Sequence, residues 1–169
     1  VIIPTGATRY PEISNTGAVS KNITLNSSAS LTINKGFDLT IGGNFTNRGT
    51  VTLNSDSNEF SSLIIQGTSS GNITYNRYVN TVGSGEWDLI GSPVDGLSIS
   101  SFVTTNTSGT ATLPINNTLS PNAYAIGIYD NSNNTWTNFT TASVGAAGNF
   151  DIGKGLSLIH ISEPTRQFR

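Results

Sequence analysis

The sequence predicts an all-β chain. A β-solenoid-like N-terminal part, of the right-handed parallel β-helix type, is followed by a truncated β-sandwich-like module. Three observations carry this. A short phrase recurs through the first half, polar turn-formers close each copy, and no apolar pattern holds a helical period of 3.6 over three turns. The phrase is apolar, Thr or Ile, apolar, then Asn, Gly or Gln. It occurs as ITLN (23–26), LTIN (31–34), LTIG (39–42), VTLN (51–54), LIIQ (63–66) and ITYN (73–76). Successive starts lie 8, 8, 12, 12 and 10 residues apart (31−23, 39−31, 51−39, 63−51, 73−63). Alternation puts one face inward and one outward, the period of a strand. Each step is shorter than a solenoid turn of about 20–30 residues, so two or three copies would make one coil. The same spacing also suits a β-sandwich or meander.

Taken in order, residues 1–3 and 18–25 open the strand series. Residues 37–45 form a strand pair bent at Gly42 and Gly43, and Asn47-Arg48-Gly49 turns the chain into 51–53. The alternation places Ile23, Leu25, Leu31, Ile33, Leu39, Ile41, Val51, Leu53, Leu63 and Ile65 inward. It places Thr24, Thr32, Thr40 and Thr52 outward, where β-branching suits a pleated surface. The solenoid-like region is assigned to residues 1–76 and the sandwich-like module to 77–155. In the second module strands are expected at 86–91, 123–129, 135–140 and 148–152, with Pro93 and Pro121 at strand or loop edges. Residues 124–139 read as a hairpin, because Asp130-Asn131-Ser132-Asn133-Asn134 tolerates a left-handed backbone.

Residues 156–166, LSLIHISEPTR, resemble the translation of a transposase-type sequencing adapter. Segments of processing origin are set aside from fold reasoning, so 156–169 is expected to add little packing beyond a chance edge strand. His160, the one His, lies inside it. With no Met at its start, the chain reads as an internal fragment, of metagenomic origin.

Composition excludes several functions. There is no Cys, hence no disulfide or thiol chemistry. Removing Glu163, Arg166 and Arg169 leaves six basic residues (8−2) and nine acidic ones (10−1), moving the net charge from −2 to −3. That balance lacks the basic cluster of a nucleic-acid footprint. Charged residues make up only 11%, and Ser, Thr, Asn and Gly supply the polarity, as in secreted β-proteins. No stretch approaches the roughly 20 apolar residues of a membrane helix. Without His or Cys outside the tail, Ser-His-Asp, Cys-His and ordinary zinc sites are not available, and no phosphate-loop pattern occurs.

What chemistry remains is carboxylate and aromatic. Glu86 and Asp88 flank Trp87 at strand spacing and could serve a glycosidase or lyase, although a solvated strand face over a core Trp is the plainer reading. No catalytic residue is assigned. Asp56, Ser57, Asn58 and Glu59, and likewise Asp130 to Asn133, gather oxygens that could hold a structural calcium. Such Asx-rich turns also arise for backbone reasons alone, and neither a metal ligand nor a cofactor is assigned. Trp87, Trp136, Tyr124, Tyr129 and Asn138, with Asn134, form a candidate sugar-stacking set, against the plainer reading of cross-strand pairs.

GNITYNRYVN (71–80), EWDLIGSPVDG (86–96) and FDIGKG (150–155), with the preceding LTIGGNFTNRGTVTLNSDS, resemble the large repetitive surface proteins of Flavobacteria and other Bacteroidetes. The resemblance implies export by a type IX secretion system, a C-terminal sorting domain beyond this stretch, and an extracellular or outer-surface location. It brings no catalytic residues. The expected function is a non-catalytic spacer or adhesion-type segment, partnered by extracellular glycans or neighbouring domains of the same chain. The rival expectation is a carbohydrate-binding module or a polysaccharide lyase-like β-helix.

Overall fold

The computed structural model describes residues 1–79, 87–107, 115–116, 120–151, 155–159 and 165–168. The chain divides into two units, Val1–Tyr78 and Val79–Phe168.

The first unit begins with β1 (Ile2–Ile3), β2 (Glu12–Ile13) and β3 (Ala18–Ser20). A second coil holds β4 (Ile23–Leu25), β5 (Ser30–Ile33) and β6 (Asp38–Ile41). A third holds β7 (Phe45–Asn47), β8 (Thr50–Leu53) and β9 (Ser62–Ile65), and β10 (Ser69–Ser70) and β11 (Thr74–Tyr78) start a fourth. Every third strand pairs in parallel, giving the sheets β1-β4-β7-β10, β2-β5-β8-β11 and β3-β6-β9. Ile23 lies beside Phe45, Leu31 beside Val51 and Leu39 beside Leu63. A coil is therefore 20 to 24 residues long and lengthens along the chain on every sheet, from 22 to 24 (45−23, 69−45), from 20 to 22 (51−31, 74−52) and from 21 to 24 (39−18, 63−39). This is a β-solenoid of about three turns, with three strands to a coil.

The expected alternation holds. Ile23, Leu25, Leu31, Ile33, Leu39, Ile41, Val51 and Leu53 are buried in one core with Ile3, Ala29 and Phe45, and Leu63 and Ile65 pack half-buried against it. Burial of this apolar surface drives the stacking, at about 25 cal/mol per Å². The Thr residues of the outer face are half-buried. Thr24 lies beside Thr46, and Thr32 beside Thr52, which lies beside Thr74, so each methyl is partly covered by the next coil about 4.8 Å away. The uneven steps of the phrase now have causes. β7 and β10 do not carry the phrase but occupy its place, and Ser55 and Phe60 bridge across a loop that leaves the coil.

The second unit contains β12 (Trp87–Ile90), α1 (Ile99–Thr107), β13 (Ile115–Asn116), β14 (Ala123–Asp130), β15 (Thr135–Thr140), β16 (Leu156–Ile159) and β17 (Thr165–Phe168). Its antiparallel sheet runs β12-β16-β14-β13, with β15 also on β14.

Three expectations are corrected. A helix was not foreseen, yet α1 forms. Ile99, Phe102, Val103 and Asn106, at i, i+3, i+4 and i+7, are all buried. The fourth position of the stripe is polar, which hides the period. Its amide is satisfied by donating to the Phe102 carbonyl at 2.8 Å. Ser98 caps the start by accepting the Ser101 N–H at 3.0 Å. The strand expected at 148–152 is a single bridge, Ser98 to Asn149, with Phe150 buried; Ile152 lies outside the described residues. Lastly, residues 156–159 are no chance edge. β16 pairs with β12 on one side and β14 on the other, and Leu156 and Ser157 are buried.

Candidate functional site

Three of the sequence-predicted residues, Tyr129, Trp136 and Asn138, meet at one place, the β14–β15 hairpin. Its register is set by the turn at Asn131-Ser132-Asn133-Asn134, in which Asn134 takes φ 54°, a conformation Asn tolerates better than most residues. Asp130 holds the turn closed. Its Oδ1 accepts from the Ser132 backbone N–H at 2.9 Å and the Ser132 hydroxyl at 2.6 Å, and its Oδ2 accepts from Asn133 Nδ2 at 2.6 Å. The Ser132 hydroxyl, then the Asn133 amide, hold the Asp130 carboxyl below its ordinary range.

The turn brings Tyr129 directly opposite Trp136. The two rings lie 4.9 Å apart, tilted by 50°, within the distance range of favourable aromatic pairs. Tyr129 is 38% exposed and Trp136 44%, and the Tyr129 hydroxyl donates to Asn134 Oδ1. Two pairs further along, Gly127 faces Asn138. A Cβ at residue 127 would sit 2.8 Å from Asn138 Oδ1 and 2.6 Å from the Thr137 carbonyl, so the Asn138 amide lies over a backbone that only Gly allows. Side chains two apart on a strand share a face. Tyr129, Trp136 and Asn138 therefore lie on one face, and Ile128 and Phe139 on the other. There, with Ile99, Phe150, Asp151 and Leu156, they line a cleft of about 230 Å³.

The remaining candidates lie at the far end of β14, on another strand or outside the described residues. Tyr124 is half-buried near the far end of β14, opposite Ile115. Trp87 pairs with Ile159 through its backbone, and its side chain lies outside those described. Glu86 lies outside the described residues, and Asp88 Oδ1 accepts its neighbour's N–H, from Leu89, at 3.0 Å.

The Asp56 loop is tied to its own surroundings. Asp56 Oδ1 accepts the N–H groups of Asn58 at 2.9 Å and Glu59 at 3.0 Å, and Oδ2 pairs with Lys35 Nζ. The Lys35 hydrogen bond, followed by the two backbone N–H groups, holds the Asp56 carboxyl at about 2, and the same bond raises Lys35. Among the described residues no group of three or more His, Cys, Asp and Glu is placed to hold a metal, and no helix is long and apolar enough to cross a membrane.

Sequence reasoning missed Gly127 as part of the site. A lone Gly inside a strand pattern was the available signal, and it marks the close approach of Asn138.

No curated protein and no solved structure matches the chain significantly. One family model matches residues 1–165, running through both units and the whole of β16. The chain belongs to the family described as Domain of unknown function (DUF8693).

Proposed function

We propose that this chain is a non-catalytic structural segment of an extracellular bacterial surface protein, its first unit a spacer and its second a presenting module. What supports the spacer role is the way one coil is tied to the next. Asn22 Oδ1 accepts the Asn44 N–H at 2.7 Å, and Asn44 Oδ1 accepts the Thr68 N–H at 3.1 Å, one coil further on. At the next corner Asn47 Oδ1 accepts the Gly49 N–H at 2.9 Å while its Nδ2 donates to the Asn72 carbonyl. Asn76 Nδ2 donates to Asn54 Oδ1 at 3.0 Å. These ties are neutral amides rather than ion pairs, so salt does not screen them. A stack held by local contacts between neighbouring coils keeps its geometry whatever the coil number. A sparsely charged sequence, 11% Asp, Glu, Lys and Arg with its polarity supplied by Ser, Thr and Asn, suits an external setting of variable ionic strength.

Two measurements on the full chain test this. Inserting a second copy of residues 22–43, one coil, should leave a cooperative transition with a melting temperature no lower than the parent's. Loss of the fold on insertion would count against a stack whose length is adjustable. The chain should also turn over none of a panel of plant and algal polysaccharides; turnover abolished by Asp88→Asn would overturn the non-catalytic reading.

A further inference from the structure

We propose that the β14–β15 hairpin binds a neutral glycan, Tyr129 and Trp136 stacking on the apolar face of a sugar ring while Asn138 hydrogen bonds its hydroxyls. Three separate observations carry the proposal. The first is that the rings are exposed and already held. Tyr129 is fixed by its hydrogen bond to Asn134 and by Trp136 across the strand, so little freedom is lost when a ligand arrives.

The second is the position of the amide. Asn138 lies two residues from Trp136 on the same face, about 7 Å along the strand. A ring stacked on the indole would put its hydroxyls within reach of that amide, which offers both a donor and an acceptor. Gly127 opposite makes the room that keeps the amide folded against the sheet.

The third is charge. From residue 78 to residue 153 the sequence contains no Lys, Arg or His, while it contains Glu86, Asp88, Asp95, Asp130 and Asp151. A stretch that carries five carboxylates and no cation offers nothing to pair with phosphate, sulfate or uronate groups, which disfavours nucleic acids and acidic polysaccharides as occupants. What fits aromatic faces, a neutral amide and the exposed Asn131 and Asn133 of the turn is an uncharged, hydroxyl-rich ring.

The site lies wholly in the second unit and does not depend on the spacer reading. The full chain should be titrated with neutral glycans (laminarin, mannan, xyloglucan) and with acidic ones (alginate, polygalacturonate). Trp136 emission, followed in a Trp87→Phe background, reports stacking. We expect about millimolar affinity for at least one neutral glycan and none for the acidic pair. Trp136→Ala should weaken binding on the order of tenfold or more, with Trp136→Phe recovering part of it and an unchanged melting temperature excluding misfolding. Asn138→Ala should weaken it less. The proposal is overturned by a folded chain that binds no neutral glycan, by equal binding in Trp136→Ala, or by preference for the acidic polymers. Self-association through Trp136 in place of glycan binding would overturn it too.

Discussion

Truncating Leu39 tests the solenoid register directly. Leu39 is 3% exposed on β6, flanked across the sheet by Ala18 on β3 and Leu63 on β9. Leu39→Ala removes three carbons from the core, about 2.4 kcal/mol in transfer free energy at about 0.8 kcal/mol for each. A cavity term adds to this, because Ala18 is too short to fill the gap and Leu63 can shift only partly. The expected cost is about 3–4 kcal/mol, inside the range for buried Leu truncation. Leu63→Ala deletes the same atoms from a half-buried site and should cost about half as much. Val19→Ala, at a side chain 77% exposed on the outer face, should stay within about 0.5 kcal/mol. A slip of one residue would reverse this order, turning Leu39 outward and Val19 inward. Urea unfolding can measure all three, provided each unit is followed separately. Trp87 and Trp136 both lie after residue 78, so Trp fluorescence follows the second unit, and the far-UV circular dichroism change without a fluorescence counterpart belongs to the solenoid. A Leu39→Ala cost below about 1 kcal/mol, or a Val19→Ala cost equal to it, would refute the register.

Other outcomes follow from the same contacts. Asn47 is buried and ties two coil corners, so Asn47→Ala should cost about 1–3 kcal/mol by urea unfolding, since it strands the Gly49 N–H and the Asn72 carbonyl. Asp56 is held at about 2 against an ordinary 3.8, so its tie to Lys35 stabilises the loop above pH 4 and is lost as pH falls through about 2. Hydrogen exchange in residues 55–60 should rise over that window, and Lys35→Gln should flatten the pH dependence. Deleting residues 156–169 removes the strand between β12 and β14 and should abolish the cooperative Trp fluorescence transition of the second unit. An unchanged transition would show the segment to be dispensable.

The solenoid was legible because its information is local. Each phrase states an alternation, and alternation decides which side chains are buried without any knowledge of partners. Ile23 to Leu53 needed no tertiary knowledge. What the phrase could not show is that β7, FTN, and β10, SS, also take places in the stack, because Asn47 and Ser69 break its apolar frame. Helix α1 was hidden for the opposite reason. Its stripe is periodic, but Asn106 fills an apolar position, buried with its amide donating to the Phe102 carbonyl. Residues 156–159 teach a separate lesson. The resemblance of a string to a translated adapter bears on where the string came from, whereas its pairing between β12 and β14, with Leu156 and Ser157 buried, bears on how it packs.

The candidate site was legible as a set of residues but not as an arrangement, and the difference is physical. Which side chains touch in a hairpin depends on register, and register depends on how many residues the turn consumes. Asp130 pairs with Thr135, leaving four residues in the turn, and this alone puts Tyr129 opposite Trp136 and Gly127 opposite Asn138. A five-residue turn would have moved Trp136 out of register with Tyr129 and closed the space above Gly127 to the Asn138 amide. The two rings, the amide and the glycine thus form one surface through a turn that contributes no aromatic residue, held at its base by the Asp130 carboxylate. Asp130→Ala should therefore disturb the ring pair without touching it. Where calcium binding would call for those carboxylate oxygens to face outward, their hydrogen bonds to Ser132 and Asn133 direct them to the turn itself, and that turn geometry aligns the face on which a sugar would lie.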